Sequence, residues 1–175
     1  SIPYFRERTG AEKLLGALKQ GQSVAYVSDA GMPGLSDPGS ILVGRVRQAG
    51  FSVEIVGGVS ALTSFISGLG RELERFEFVG FLPAKKNQKL KLFEEKQKTP
   101  MIFFESPHRL EKTLQLIAEI QPNREFVLAK ELSKVSERFF EGTAPQLIEE
   151  IPSWKGEWLG LAWTCHVASC RLRIK

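Results

Sequence analysis

The chain has 175 residues, of which 42% are hydrophobic and 25% are charged, and its net charge is +4. This composition is typical of a globular protein with one large domain or two small ones. It excludes a disulfide scaffold, since there are only two cysteines, and the lack of any apolar run of about eighteen residues excludes a membrane span.

The first half of the chain alternates helix-like and strand-like segments. A helical pattern ends at Gly21, and residues 23–28 form the short apolar run of a buried parallel strand. The loop 29–39 is rich in Gly and Pro and leads into a helix that Asp37 caps and Gly50 ends. A second strand, 52–56, and a second helix, 59–69, follow around the turn Gly57-Gly58. This alternation predicts a parallel sheet with helices on both faces.

The charged link 71–75 predicts a boundary between two domains, residues 1–72 and 73–175. The second domain is expected to contain strands at 76–81, 101–104, 125–132, 138–141 and 157–163. Ser106 and Pro107 open a helix that reaches Ile120, and Thr143 to Gln146 has the pattern of a capping box.

Two loops are candidate ligand sites because each follows a predicted parallel strand. Ligands bind at the carboxyl ends of strands in open α/β sheets. Glycines in the loop 28–39 allow close backbone approach, and the Asp29 carboxylate could bond a ribose or an amino group. A rigid turn is the alternative for this loop, and a plain tight turn is the alternative for Gly57-Gly58.

Six ordered sequence blocks resemble the tetrapyrrole methylase family, in its branch that methylates small-subunit ribosomal RNA. The blocks are 28–39, 58–61, 80–86, 105–110, 129–132 and 141–143. The resemblance implies two α/β domains, the first a truncated parallel sheet and the second a mixed sheet, with S-adenosylmethionine in a cleft between them. It also implies a homodimer in the cytoplasm, without a membrane partner. The cofactor-binding residues that it implies are Asp29, Ala30, Gly31, Met32, Ser60, Ala61, Phe104 and Ala129. Core packing is the alternative for Phe104 and Ala129.

The reaction implied by the resemblance is 2′-O-methylation of a cytidine ribose in small-subunit (16S) ribosomal RNA, either free or within the 30S subunit. A ribose hydroxyl is a poor nucleophile, so a base or a nearby cation would help, and no metal is required. Lys130 and Glu105 are the preferred catalytic candidates, with His108 and Glu131 as others. An ion pair with Arg109 is the alternative for Glu105, and a surface position is the alternative for His108.

Six lysines crowd residues 85–98 and predict an RNA-binding surface, with Lys85, Lys86, Lys89 and, more weakly, Arg109 as contacts. A solvated helix face is the alternative.

Some features depart from the family pattern. A further strand-helix-strand unit is expected before Ser1, Gly57 stands where the family has Pro, and the residues after Trp158 differ. Cys165, His166 and Cys170 lack paired zinc spacing, so no metal site is expected there. Two other functions stay open: methylation of a tetrapyrrole or other small molecule, and a non-catalytic RNA-binding remnant.

Overall fold

The computed structural model describes residues 7–28 and 31–163, with side chains from Gly10 onward. The chain forms two compact units, residues 1–60 and 61–175. The domain boundary between residues 72 and 73 stays a prediction. No helix in the described ranges is long and apolar enough to span a membrane.

The first unit contains two helices, α1 (Glu7–Lys19) and α2 (Ser40–Gln48). The strands expected at 23–28 and 52–56 are not formed, and no strand is assigned among the described residues of this unit. Their apolar side chains are largely exposed, with Val27 at 81% and Val56 at 82%. A strand exists only through bonds to a neighbouring strand, and these two segments make no ladder with each other.

The start of α2 differs from the prediction that Asp37 caps it. The helix begins at Ser40, and the cap position is Gly39, with φ of 136°. A Cβ on Gly39 would lie 3.1 Å from the Tyr26 ring and 3.3 Å from Pro33. Packing of the preceding loop therefore sets the start of the helix two residues later than the carboxylate suggests.

The second unit is a five-stranded mixed sheet with helices on both faces. Its strands are β1 (Glu77–Phe81), β2 (Met101–Glu105), β3 (Glu125–Lys130), β4 (Arg138–Thr143) and β5 (Trp158–Trp163), in the order β1-β2-β5-β3-β4. The strands β1 and β2 run parallel, and the neighbouring pairs β2–β5, β5–β3 and β3–β4 are antiparallel. Its helices are α3 (Ala61–Gly68), α4 (Lys86–Glu95), α5 (Pro107–Ile120) and α6 (Ala144–Glu150). The predicted mixed sheet is confirmed.

Each face of this sheet has its own apolar core, because side chains alternate along a strand. Phe126 and Leu128 of β3 point into a core shared with α4, α5 and α6. Val127 and Ala129 point into a second core under α3, whose Phe65 is fully buried. The three-layer arrangement confirms the α/β fold class.

Candidate functional site

Two loop segments of the first unit, residues 31–34 and 57–60, lie against each other and are called here the loop pair. The Ser28 hydroxyl donates a hydrogen bond to the Gly31 carbonyl at 2.7 Å. Gly31 has φ of +70°, and a Cβ on it would lie 3.2 Å from the carbonyl oxygen of Val59. A side chain at residue 31 would be strained and would press on the second loop.

Met32 makes a second contact within the loop pair. A Cβ on Gly58 would lie 3.3 Å from Met32 Sδ, so the thioether rests on the backbone of the second loop. Val59 beside it is 65% exposed. The two loops that the sequence marks as candidate ligand sites are therefore in contact, with open space next to them.

The other predicted cofactor residues of this part of the sequence are Ser60, Ala61, Asp29 and Ala30. Ser60 is half-buried and Ala61 is the exposed first residue of α3. Asp29 and Ala30 lie outside the described residues.

Phe104 and Ala129 lie in one row on the α3 face of the sheet. Both are cross-strand partners of Leu159, so they sit at the same level, one strand apart on each side of β5. The row continues to Phe81 beyond Phe104 and to Phe139 beyond Ala129. Ala129 is 1% exposed and serves as core packing, whereas Phe104 is half-buried with its ring 5.3 Å from that of Phe81.

The Glu105 carboxylate is the centre of a buried polar network at the end of β2, and its side chain has no exposed surface. Oε2 lies 2.9 Å from Lys89 Nζ and 3.0 Å from the Thr113 hydroxyl. Oε1 accepts the Ser106 backbone N–H at 2.8 Å and lies 2.6 Å from Arg109 Nη2. Such complete pairing is what makes a buried charge tolerable.

This network contains the ion pair between Glu105 and Arg109, which the sequence analysis gives as the alternative to a catalytic role for Glu105. Both carboxylate oxygens are occupied, Oε2 by Lys89 and Thr113 and Oε1 by Ser106 and Arg109. Through these contacts, Glu105 connects β2 to Lys89 of α4 and to Arg109 of α5.

Lys89 does not lie on an RNA-accessible surface, although the sequence analysis expects it there. Its side chain is 7% exposed, and its ammonium group lies 2.9 Å from Glu105 and 2.5 Å from the Thr113 hydroxyl. The lysine-rich stretch forms a helix that needs a buried face, and Lys89 lies on that face together with Phe93.

Lys130 lies on the face of the sheet opposite to Ala129. Its ammonium group donates to the Ser153 carbonyl at 2.8 Å and lies 5.4 Å from the centre of the Trp158 ring. Trp158 is the cross-strand partner of both Lys130 and Glu105. The structure therefore brings the two catalytic candidates into one row, on the face away from Phe104 and Ala129.

Glu131, the other candidate on this strand end, has a left-handed backbone with φ of 51°. Its carboxylate accepts the Glu157 backbone N–H at 2.6 Å and pairs with Lys134 at 3.2 Å. That backbone hydrogen bond and the Lys134 ammonium lower the pKa of Glu131. The carboxylate thus fastens the loop after β3 to the loop before β5.

A cleft of about 290 Å³ between α4 and α5 is lined mainly by positively charged side chains and is called here the basic cleft. The cationic residues that line it are Lys86, Lys89, Arg109 and Lys112, and the acidic one is Glu119. The structure thus joins Lys86 to Arg109, which are 23 positions apart in the sequence.

Lys85 lies exposed next to the cleft, and His108 is exposed, in keeping with the surface alternative for that histidine. Lys112 is a cleft residue that the sequence analysis misses. Its spacing of three residues from Arg109 within a predicted helix is the signal that could have found it. No group of His, Cys, Asp and Glu in the described part of the chain could hold a metal ion, and Cys165, His166 and Cys170 lie outside that part.

Comparison with known proteins assigns the family. Residues 5–148 match the family described as Tetrapyrrole (Corrin/Porphyrin) Methylases. This chain belongs to the tetrapyrrole methylases.

Relatives within the tetrapyrrole methylases narrow the comparison. The chain is 42% identical over 149 residues to the ribosomal RNA small subunit methyltransferase I of Neisseria meningitidis serogroup B, covering 84% of this chain and 51% of the relative. It is 42% identical over 155 residues to the protein of the same name from Thermotoga maritima, covering 86% of this chain and 70% of the relative. The chain thus spans about half the length of the meningococcal relative.

A solved tetrapyrrole methylase shows the same fold at low identity. The uroporphyrin-III C-methyl transferase from Thermus thermophilus, complexed with S-adenyl homocysteine, matches with a TM-score of 0.57 and 16% identity. The match covers 89% of this chain and 73% of that protein.

Proposed function

We propose that this chain is part of an S-adenosylmethionine-dependent methyltransferase that modifies the 2′-hydroxyl of a cytidine in small-subunit ribosomal RNA. The observation that carries the proposal is the contact within the loop pair, where Gly31 has no side chain and its backbone can therefore approach the Val59 carbonyl closely. The names of the relatives from Neisseria meningitidis and Thermotoga maritima support small-subunit ribosomal RNA as the substrate class, and the cytidine 2′-hydroxyl follows from the resemblance of the sequence blocks.

The residues of the loop pair fit a nucleoside cofactor. Gly31 and Gly58 leave the backbone uncovered where the loops meet, so amide and carbonyl groups can approach a ligand closely. Gly31, Met32 and Ser60 would contact the cofactor, together with Asp29 and Ala30, which directly precede Gly31 in the sequence. When bound, S-adenosylmethionine supplies a methyl group on a positively charged sulfur.

The chain's own contribution to the chemistry is positioning. Holding the ribose oxygen in line with the methyl group removes much of the entropic cost of the transfer. The catalytic roles of Lys130 and Glu105, and the adenosine contacts of Phe104 and Ala129, stay predictions and do not carry this proposal. Of the first two, Lys130 has the ammonium group that could stabilise a developing alkoxide. A homodimer and a cytoplasmic location complete the proposal.

The proposal is tested by transfer of a labelled methyl group from S-adenosylmethionine to small-subunit ribosomal RNA by the full chain. A methyl group on the ribose 2′-oxygen removes the internal nucleophile of alkaline cleavage, so the modified linkage survives alkali. We expect one alkali-resistant dinucleotide that carries label and begins with cytidine. Label recovered on a base, or in a tetrapyrrole added in competition but not in RNA, would refute the proposal.

A further inference from the structure

The basic cleft has the charge and the openness of a site for a polyanion. Four cationic side chains line it against the single carboxylate of Glu119. One of the four, Lys89, is already neutralised by Glu105 inside the buried network. The cleft therefore offers Lys86, Arg109 and Lys112 to a ligand.

Arg109 is held in position before any ligand arrives. Its Nη2 lies 2.6 Å from Glu105 Oε1, and its Nε donates to the Ser106 hydroxyl at 3.2 Å. A guanidinium group has five N–H donors, so further donors remain beyond these two contacts. The side chain is 32% exposed, and a fixed guanidinium fork loses little entropy when it binds a phosphate.

Lys86 and Lys112 differ from the paired lysines around them. Lys91 pairs with Glu95 at 3.7 Å and Lys96 pairs with Glu77 at 2.7 Å. Within the described ranges, Lys86 and Lys112 have no carboxylate within ion-pair distance, and both are exposed. Unpaired cations that share one concave surface favour an anionic ligand.

We propose that Lys86, Arg109 and Lys112 bind the phosphodiester backbone of the RNA substrate. The proposal rests on the proposed function for the identity of the polyanion, and it adds the position of the RNA on the second unit. Glu105 acts in it as a positioning residue, because it orients Arg109 from inside the protein. Backbone contacts of this kind set the register of an RNA without reading its bases.

The experiment compares two double variants of the full chain that lose the same charge. K86Q/K112Q removes the two unpaired lysines of the cleft and leaves the Glu105 network intact. K91Q/K98Q removes two exposed lysines of the same stretch that do not line the cleft. Affinity for a fluorescent single-stranded oligoribonucleotide is measured over a series of salt concentrations.

We expect K86Q/K112Q to weaken RNA binding roughly tenfold at about 0.1 M salt and to lower the slope of log K against log salt by about 1.4. K91Q/K98Q is expected to change the affinity less than about twofold. In methyl transfer, the cleft variant should raise KM for RNA with little change in kcat, since the lost contact is made equally in the transition state.

Equal losses in the two variants would overturn the proposal in favour of a diffuse charge effect, and so would no loss in the cleft variant. Calorimetry with S-adenosylhomocysteine separates this failure from that of the proposed function. A wild-type chain that methylates RNA while the cleft variant binds RNA normally contradicts the cleft alone. A wild-type chain that binds neither the cofactor product nor RNA contradicts both.

Discussion

Different kinds of contact hold the loop pair in the first unit and the basic cleft in the second. In the loop pair, closeness depends on absent side chains, since a Cβ at Gly31 would lie 3.2 Å from the Val59 carbonyl. In the cleft, closeness depends on present charges, since Glu105 joins Lys89 of α4 to Arg109 of α5. The loop pair is therefore sensitive to an added side chain, and the basic cleft is sensitive to the loss of a charged group.

The largest effect is expected from breaking the buried network with E105Q. The substitution leaves the Lys89 ammonium group buried beside an amide and releases Arg109 from its only described carboxylate partner. Loss of one partner of a buried ion pair costs about 4 kcal/mol. Chemical denaturation should therefore show a free energy of unfolding lower by about that amount.

The double variant E105Q/K89M sharpens this prediction, because it removes the stranded charge together with its partner. It is expected to be more stable than E105Q alone. The matched control E94Q changes an exposed carboxylate on α4 and should stay within about 0.5 kcal/mol of the wild type. An E105Q chain as stable as E94Q would show that the network does not hold the cleft.

A smaller loss is expected from R124M, which releases the other end of α4. Arg124 is 2% exposed and donates to the carbonyls of Phe93 at 2.9 Å and Lys96 at 2.8 Å. Burial lowers the pKa of Arg124 to about 10, so it stays charged at neutral pH. Its removal takes away the side-chain donor of the Lys96 carbonyl and leaves the Phe93 carbonyl with only the longer Gln121 hydrogen bond of 3.3 Å, and it should cost about 3 kcal/mol.

The control for R124M is R138M, which removes an exposed arginine from β4. It should lower the free energy of unfolding by no more than about 0.5 kcal/mol. Equal free energies of unfolding for R124M and R138M would contradict the role given to Arg124.

The second unit could be predicted from sequence more closely than the first. The segments of β2, β3 and β5 have apolar runs, and the helix opened by Ser106 and Pro107 runs to Ile120 as expected. These segments find partners within the chain, so local pattern and tertiary packing agree. Residues 23–28 and 52–56 have the same apolar pattern, but without a neighbouring strand the pattern does not produce a ladder.

Charged residues of the candidate site were harder to predict than glycines. Gly31 and Gly58 follow predicted strands and lie where the sequence analysis expects a ligand loop. Lys89 has the same charge as Lys86 and sits three positions later, yet one is buried and the other exposed. The carboxylate of Glu105, sixteen residues away, and the hydroxyl of Thr113 explain why a lysine can occupy the inner face of α4.

The loop pair is tested most directly by titrating S-adenosylhomocysteine into the wild-type chain and into G31A and G34A. Both glycines have positive φ, +70° and +97°, so alanine strains the backbone in both variants. Only at residue 31 does the added Cβ meet the second loop, because nothing lies within 4 Å of it at residue 34. We predict an affinity at least about tenfold weaker in G31A and a change below about threefold in G34A. Equal affinities in the two variants would contradict a cofactor site in the loop pair.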